Sequence, residues 1–264
     1  MNPKHYETAK VISNSHAYGV YSMKLEAPQV AADSKPGQFV MVYLGSDKHL
    51  LPRPISLYDV DKAAGTITLD YIVPGAGTKI ISEWPVGHNL QILGPLGNGF
   101  DLENLGERVA LVGGGIGIAP LYFLAKELNG LGIKTDVYLG FRQEIPRHIS
   151  CFETLAQNIK VATEDGRGGN RGYITDFLPR NPTYDTILSC GPIPMLKALA
   201  RYAHSHNIPC QVSVEERMAC GLGACKGCVV KTLVGYQLCC QNGPVFKSDE
   251  IFLPTAKTAT QKLH

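Results

Sequence analysis

The segment Cys220-Gly-Leu-Gly-Ala-Cys225-Lys-Gly-Cys228 sets three thiols at Cys-x4-Cys-x2-Cys spacing, and two more follow at Cys239 and Cys240, just before Gly243-Pro244-Val245-Phe246. A thiolate is a metal ligand. Three Cys at this spacing with a fourth further on form the plant-type pattern that wraps a [2Fe–2S] cluster. A structural zinc site would more naturally show two Cys-x2-Cys pairs, and here there is one such pair with an off-pattern partner. Gly221, Gly223, Ala224 and Gly227 let the backbone bend tightly and aim N–H groups at the sulfurs. The pattern predicts a [2Fe–2S] centre on Cys220, Cys225 and Cys228. Spacing leaves the fourth ligand open between Cys239 and Cys240.

Three other stretches carry candidate chemistry. Gly113-Gly-Gly-Ile-Gly117-Ile-Ala-Pro120 stands between a predicted strand and a predicted helix, where backbone N–H groups face any phosphate placed there. It is not the Gly-x-Gly-x-x-Gly fingerprint, and a glycine-rich turn can also serve packing. Ser189-Cys190-Gly191-Pro192 ends a later strand, where open α/β sheets bind ligands. Together Gly114, Gly115, Gly117, Cys190 and Gly191 point to a nucleotide. In Arg53-Pro54-Ile55-Ser56 a guanidinium fork could grip a phosphate with the hydroxyl near a ring edge, or the four residues could be a rigid edge turn with a solvated charge. Gly75-Ala-Gly77-Thr78 offers backbone donors to a pyrophosphate, or a simple turn. The polar loop from Thr163 to Gly172 fits a flexible connection, and the eight His residues form no ligand spacing and no nucleophilic arrangement.

These residues need elements to hold them. Phe39–Leu44, Thr66–Val73 and Leu90–Leu93 are β-rich runs separated by Gly, Pro and Asp turns, which predicts a small antiparallel barrel. Past Arg108 the pattern changes to strands at 109–112, 134–140 and 186–189 alternating with helices at 121–128, 152–159 and 194–204, the signature of a parallel sheet covered by helices. The expected division is an antiparallel barrel at 1–102, a nucleotide-binding α/β domain at 103–210 and a [2Fe–2S] module at 211–264. The chain has 264 residues, 44% hydrophobic, enough for proper cores. Its 25 basic and 23 acidic residues are interspersed without a basic stripe, which argues against a nucleic-acid partner. Thiols crowded into 220–240 suit a metal site in a reducing compartment, and neither a signal peptide nor a membrane span is legible, so a cytoplasmic location is expected.

A nicotinamide exchanges two electrons as a hydride and a [2Fe–2S] cluster exchanges one, so a carrier that can do both must stand between them. A flavin is such a carrier, and the barrel with Arg53 is its natural home. Arg53-Pro-Ile-Ser56, Gly94-Pro-Leu-Gly-Asn-Gly-Phe100, Gly113-Gly-Gly-Ile-Gly-Ile-Ala-Pro120, Cys190-Gly-Pro and Glu216-Arg-Met-Ala-Cys-Gly-Leu-Gly-Ala-Cys225 resemble, across essentially the whole chain, the electron-transfer subunits of dihydroorotate dehydrogenase B, within the ferredoxin-reductase superfamily. The resemblance implies one FAD, one [2Fe–2S] cluster, reaction with NAD, and assembly with an FMN-containing catalytic subunit into a heterotetramer of two of each for pyrimidine synthesis. By position it implies FAD contacts at Arg53, Pro54, Ile55 and Ser56, at Asp70, Tyr71 and Ile72, and at Gly77 with Thr78. It also makes Cys240 the fourth ligand. Tyr71-Ile72 stands where many members have Tyr-Arg, so one flavin or phosphate contact is absent or supplied elsewhere. Arg142 and Arg147 follow a predicted strand end where an adenosine ribose could lie, which leaves a 2′-phosphate open, although the resemblance favours NAD. Related motifs recur in small flavin subunits of sulfide dehydrogenase or ferredoxin-dependent transhydrogenase, and a cluster-based redox sensor is a third reading.

Overall fold

Alternation of inward and outward side chains builds the first half of the molecule. The computed structural model describes residues 3–45, 49–143 and 147–252. Six antiparallel strands, β1 (His5–Ala17), β2 (Val20–Glu26), β3 (Phe39–Val42), β4 (Arg53–Asp61), β5 (Thr66–Tyr71) and β6 (Asn89–Leu96), close in the order β1-β2-β5-β4-β3-β6. Met23, Leu25, Leu57, Ile67, Leu69 and Ile92 fill the interior and are almost wholly withdrawn from water. Closure pairs β1 with β6 and leaves the barrel without an unpaired edge. Two short helices, α1 (Pro28–Asp33) and α2 (Ala76–Ser82), add Val30, Ala31 and Ile81 to the same core.

From Arg108 to Ser213 the strands are parallel and joined through crossovers. β7 (Arg108–Gly114), β8 (Lys134–Phe141), β9 (Asn158–Thr163), β10 (Asn170–Arg171), β11 (Thr186–Cys190) and β12 (Cys210–Ser213) form a sheet in the order β10-β9-β8-β7-β11-β12. Strand order reverses between β7 and β11, which is where such sheets open a ligand crevice. Helices α3 (Ala119–Gly130) and α4 (Ile193–Ser205) occupy the positions expected from their apolar spacing. The helix expected at 152–159 is absent. A 3-10 turn spans Arg147–Phe152, Ala156 N–H closes one further turn on the Phe152 carbonyl at 2.9 Å, and strand β9 begins at Asn158. Phe152 and Leu155 give helical spacing for one turn only, after which alternating Ile159 and Val161 pull the chain into the sheet.

The thiol-rich segment is woven into that sheet. After a hairpin, β13 (Val229–Thr232) and β14 (Gly235–Leu238), the one-turn helix α5 (Cys239–Asn242) leads to β15 (Val245–Lys247), which pairs antiparallel with β12 as the seventh strand, before α6 (Ser248–Phe252). The sheet therefore takes strands from both sides of residue 211. One apolar cluster joins Met41 and Leu96 of the barrel, Val112 and Ile187 of the sheet, and Cys239, Cys240 and Phe246. On the opposite side α3 docks on the barrel: Phe123 is buried in the barrel cluster, Tyr122 stacks on Tyr58 at 4.7 Å between centroids, and Lys126 pairs with Asp59.

Candidate functional site

The loop around Cys220 is shaped by left-handed residues, Gly221 at φ 70, Gly223 at φ 81 and Lys226 at φ 54. Gly221 also has no room for a side chain, since a Cβ there would lie 2.6 Å from Cγ of Met41 and 2.9 Å from Cδ1 of Leu96. The loop thus rests directly on barrel strands β3 and β6. Met41 is in register with Pro54 of β4, so one strand separates the thiol loop from Arg53-Pro-Ile-Ser56.

The thiols meet in twos. The Cys220 sulfur accepts backbone N–H groups from Leu222 and Cys225, each at 3.4 Å, and contacts the Cys225 thiol. Burial pushes the Cys220 thiol up, but these hydrogen bonds outweigh it and bring the pKa down to about 7. Helix α5 turns the chain back so that Cys240 N–H donates to the Cys228 sulfur at 3.4 Å and the two thiols touch. The Cys240 thiol is pushed up to about 12 by burial and by Cys228, with partial relief from the Gly223 N–H. Cys239 is fully buried, and its thiol points away to the Val214 carbonyl at 3.5 Å. Among the described residues no three His, Cys, Asp or Glu converge as one metal ion requires. Two pairs, Cys220 with Cys225 and Cys228 with Cys240, are the donor set a two-iron cluster uses, two thiolates to each iron. Backbone N–H groups already aimed at the sulfurs suit the same group.

The flavin-side residues fall into two groups. Arg53 donates from its guanidinium to the Leu51 carbonyl at 2.7 Å and lies flat against Gly77, where any Cβ would overlap it. Thr78 donates to the Gly75 carbonyl at 3.0 Å. In β4 the side chains of Pro54 and Ser56 are half-buried on the outer face, whereas Ile55 belongs to the barrel core and can offer a ligand only backbone. Asp70 and Ile72 instead line a cleft of about 1090 Å³ between barrel and sheet. Tyr71, between them, is buried; its hydroxyl donates to Asn14 at 3.2 Å and its ring stacks on Tyr21. Tyr58 also lines the cleft and was not singled out by sequence, although its alternation with Ser56 in β4 puts it on the same outer face.

The far wall of the cleft comes from the sheet. Gly114 and Gly115, at the end of β7, line it together with Pro192 and Met195. Gly117 faces away from the cleft and packs on the next strand end: a Cβ there would lie 2.7 Å from the Cys190 carbonyl oxygen and from the backbone of Gly191. Cys190 is buried, and burial with the nearby Glu215 charge pushes its thiol up to about 12, so it is no nucleophile. Arg142 lines the cleft; the side chain of Arg147 lies outside the described residues.

A closed antiparallel barrel packed on a parallel sheet, with a cleft between them and a thiol loop seated on the barrel, defines a flavin- and iron–sulfur-dependent reductase of the ferredoxin-reductase type. Residues 6–100 match the oxidoreductase FAD-binding domain and residues 215–252 match the iron–sulfur cluster binding domain of dihydroorotate dehydrogenase B. The chain is 38% identical over 251 residues to the dihydroorotate dehydrogenase B (NAD(+)) electron transfer subunit of Clostridium acetobutylicum, covering 95% of this chain and 96% of that one. It is 42% identical to the corresponding subunit of Shouchella clausii, covering 88% and 92%. A solved chain of an NADH-dependent reduced ferredoxin-NADP oxidoreductase superimposes with TM-score 0.83 at 28% identity, covering 96% of this chain and 92% of that one. The chain belongs to the family of electron transfer subunits of dihydroorotate dehydrogenase B.

Proposed function

We propose that this chain carries electrons between NAD(H) and the FMN of a dihydroorotate-oxidising catalytic subunit, assembled as a heterotetramer of two of each, in the cytoplasmic synthesis of pyrimidines. The observation that carries the reading is the contact of Gly221 with Met41 and Leu96. It holds the thiol loop one strand from Arg53-Pro-Ile-Ser56, while the opposite side of the barrel borders the cleft. FAD held on the barrel supplies the step from two-electron to one-electron transfer. Residues of this chain do the holding. Arg53, with Pro54, Ile55 and Ser56 along β4, grips the flavin nucleotide, and Gly77 with Thr78 gives backbone donors to its pyrophosphate. Asp70 and Ile72 border the ring, and Tyr71 between them can offer it only backbone. Gly114, Gly115 and Gly117 with Cys190 and Gly191 shape the dinucleotide end of the cleft. Cys220, Cys225, Cys228 and Cys240 hold the cluster. The units of this division of labour are 1–102 for FAD, 103–210 for NAD and 211–264 for the cluster.

Among the described residues no helix is long and apolar enough to cross a membrane. The described residues form an antiparallel barrel, one mixed sheet and a hairpin, and no parallel βα barrel of the kind that bears FMN and substrate, so the purified chain is expected to oxidise NADH with an artificial acceptor and to leave dihydroorotate untouched. Adding the catalytic subunit should couple the two. Oxidation of dihydroorotate by the chain alone overturns the division of labour. The match to a ferredoxin-NADP oxidoreductase chain favours one second reading, a small flavin subunit of a transhydrogenase. Recovery from native cells of a large iron–sulfur-rich partner in place of an FMN dehydrogenase would decide for it.

A further inference from the structure

The outer end of the cleft holds charged groups that the reading above leaves unused. Tyr58, Asp70 and Ile72 form the barrel wall, so a nicotinamide that meets the flavin must sit beside them, with its pyrophosphate at Gly114 and Gly115 on the end of β7. The rest of the lining lies further out in the strand order: Phe141, Arg142 and Gln143 at the end of β8, Glu164 just after β9, and Tyr173. The adenosine half of the dinucleotide has to occupy that end.

Acidic groups there have different commitments. Asp176 accepts the Tyr173 N–H at 3.2 Å in a reciprocal cap of the short turn that follows. Asp165 is turned to its own loop, accepting the Arg167 N–H at 3.1 Å and pairing with the Arg167 guanidinium at 3.6 Å. Glu164 lines the cleft with an exposed side chain, and its N–H donates to the Phe141 carbonyl at 3.1 Å, which fixes its backbone beside the end of β8. Because Phe141 is in register with Thr163, the next pair along is Arg142 and Glu164.

We propose that Glu164 selects NAD(H) over NADP(H), its carboxylate accepting the 2′- and 3′-hydroxyls of the adenosine ribose and repelling a 2′-phosphate. An acidic residue at the end of an outer strand serves this purpose in other doubly wound sheets, and a like charge set against the wrong ligand is an efficient way to reject it. The neighbouring Arg142 makes the assignment sharper. A cation is already at hand for a phosphate, so the carboxylate itself supplies the rejection. The inference rests on reading this cleft as the dinucleotide site.

Calorimetric titration of NAD+ and NADP+ into the full chain, loaded with flavin and cluster, tests it without reference to turnover. The unaltered chain should bind NAD+ more tightly. Glu164→Gln should weaken NAD+ by about tenfold, the worth of a hydrogen bond to a charged group, and tighten NADP+. Adding Arg142→Ala should abolish that gain. Flavin and iron content of each variant reports that it is folded. A NAD+/NADP+ ratio that Glu164→Gln does not move overturns the proposal while leaving the cleft as the dinucleotide site. If the loaded, unaltered chain binds neither dinucleotide, the cleft reading and the proposal fall together.

Discussion

Cys239 and Cys240 are neighbours in sequence with opposite surroundings. Cys239 is sealed in the apolar cluster on the Val214 carbonyl, whereas Cys240 touches Cys228 and receives the Gly223 N–H. Cys240→Ser should therefore strip or shift the cluster, and Cys239→Ser should keep it at a cost of about 1 kcal/mol in stability, since a hydroxyl can keep the same acceptor. Iron content and the paramagnetic signal of the reduced protein separate the two, and the reverse pattern would make Cys239 the ligand. Arg53 gives a second residue-scale test. A planar fork that Lys cannot reproduce is packed on Gly77. Arg53→Ala should lose FAD while retaining iron, and Gly77→Ala, which pushes a methyl group into the guanidinium, should lose it in part. Flavin absorbance per chain is the measurement, and full flavin content in Arg53→Ala would make that residue an edge-turn charge.

At the level of elements, two strand ends are held together by the absence of a side chain at residue 117. Gly117→Ala would press a methyl against the backbone of Cys190 and Gly191, which cannot swing aside as a side chain would. It should pry β11 from the turn after β7 and weaken NADH binding by about 1–3 kcal/mol, with flavin and iron content unchanged. Equal NADH affinity in the variant would show that this junction does not shape the site. Sequence disclosed most of these elements because their signals are local. The β-rich runs of β3, β5 and β6 and the break from strand to glycines to helix at 109–128 are each written within about twenty residues, whereas Arg53–Ser56, expected to lie between strands, opens strand β4 and pairs with β3. The expected helix at 152–159 failed because Phe152 and Leu155 supply one turn of apolar spacing and no more. Tyr58 was passed over because its value comes from a partner in another element, Tyr122, far along the chain. Spacing groups Cys220, Cys225 and Cys228 but neither divides the thiols into pairs nor chooses between Cys239 and Cys240, because both depend on how α5 folds back on Cys228, a contact that spacing does not encode.

For the molecule as a whole, the electron path has to end at a surface. Cys225 is exposed and Leu222 stays 44% accessible, so the thiol loop is where a partner can approach the cluster closely. Lys226 sits in that loop, exposed and in the left-handed region. Lys226→Glu should leave flavin and iron content intact and slow coupled turnover with the catalytic subunit, mainly through slower association at low salt. Undiminished coupled activity would place the docking contact elsewhere. The antiparallel pairing of β15 with β12 has a different consequence, for the fate of an unfinished chain. The segment that carries Cys220 through Cys240 runs between those two strands, so if its thiols hold the cluster as proposed, a chain without iron would lose the bonds that tie the segment down beside its own seventh strand. Loss of β15 would leave β12, otherwise paired on both sides, with one open edge that other chains could use as a template. Chelated protein should scatter light and be nicked by protease within residues 214–244 while the barrel survives.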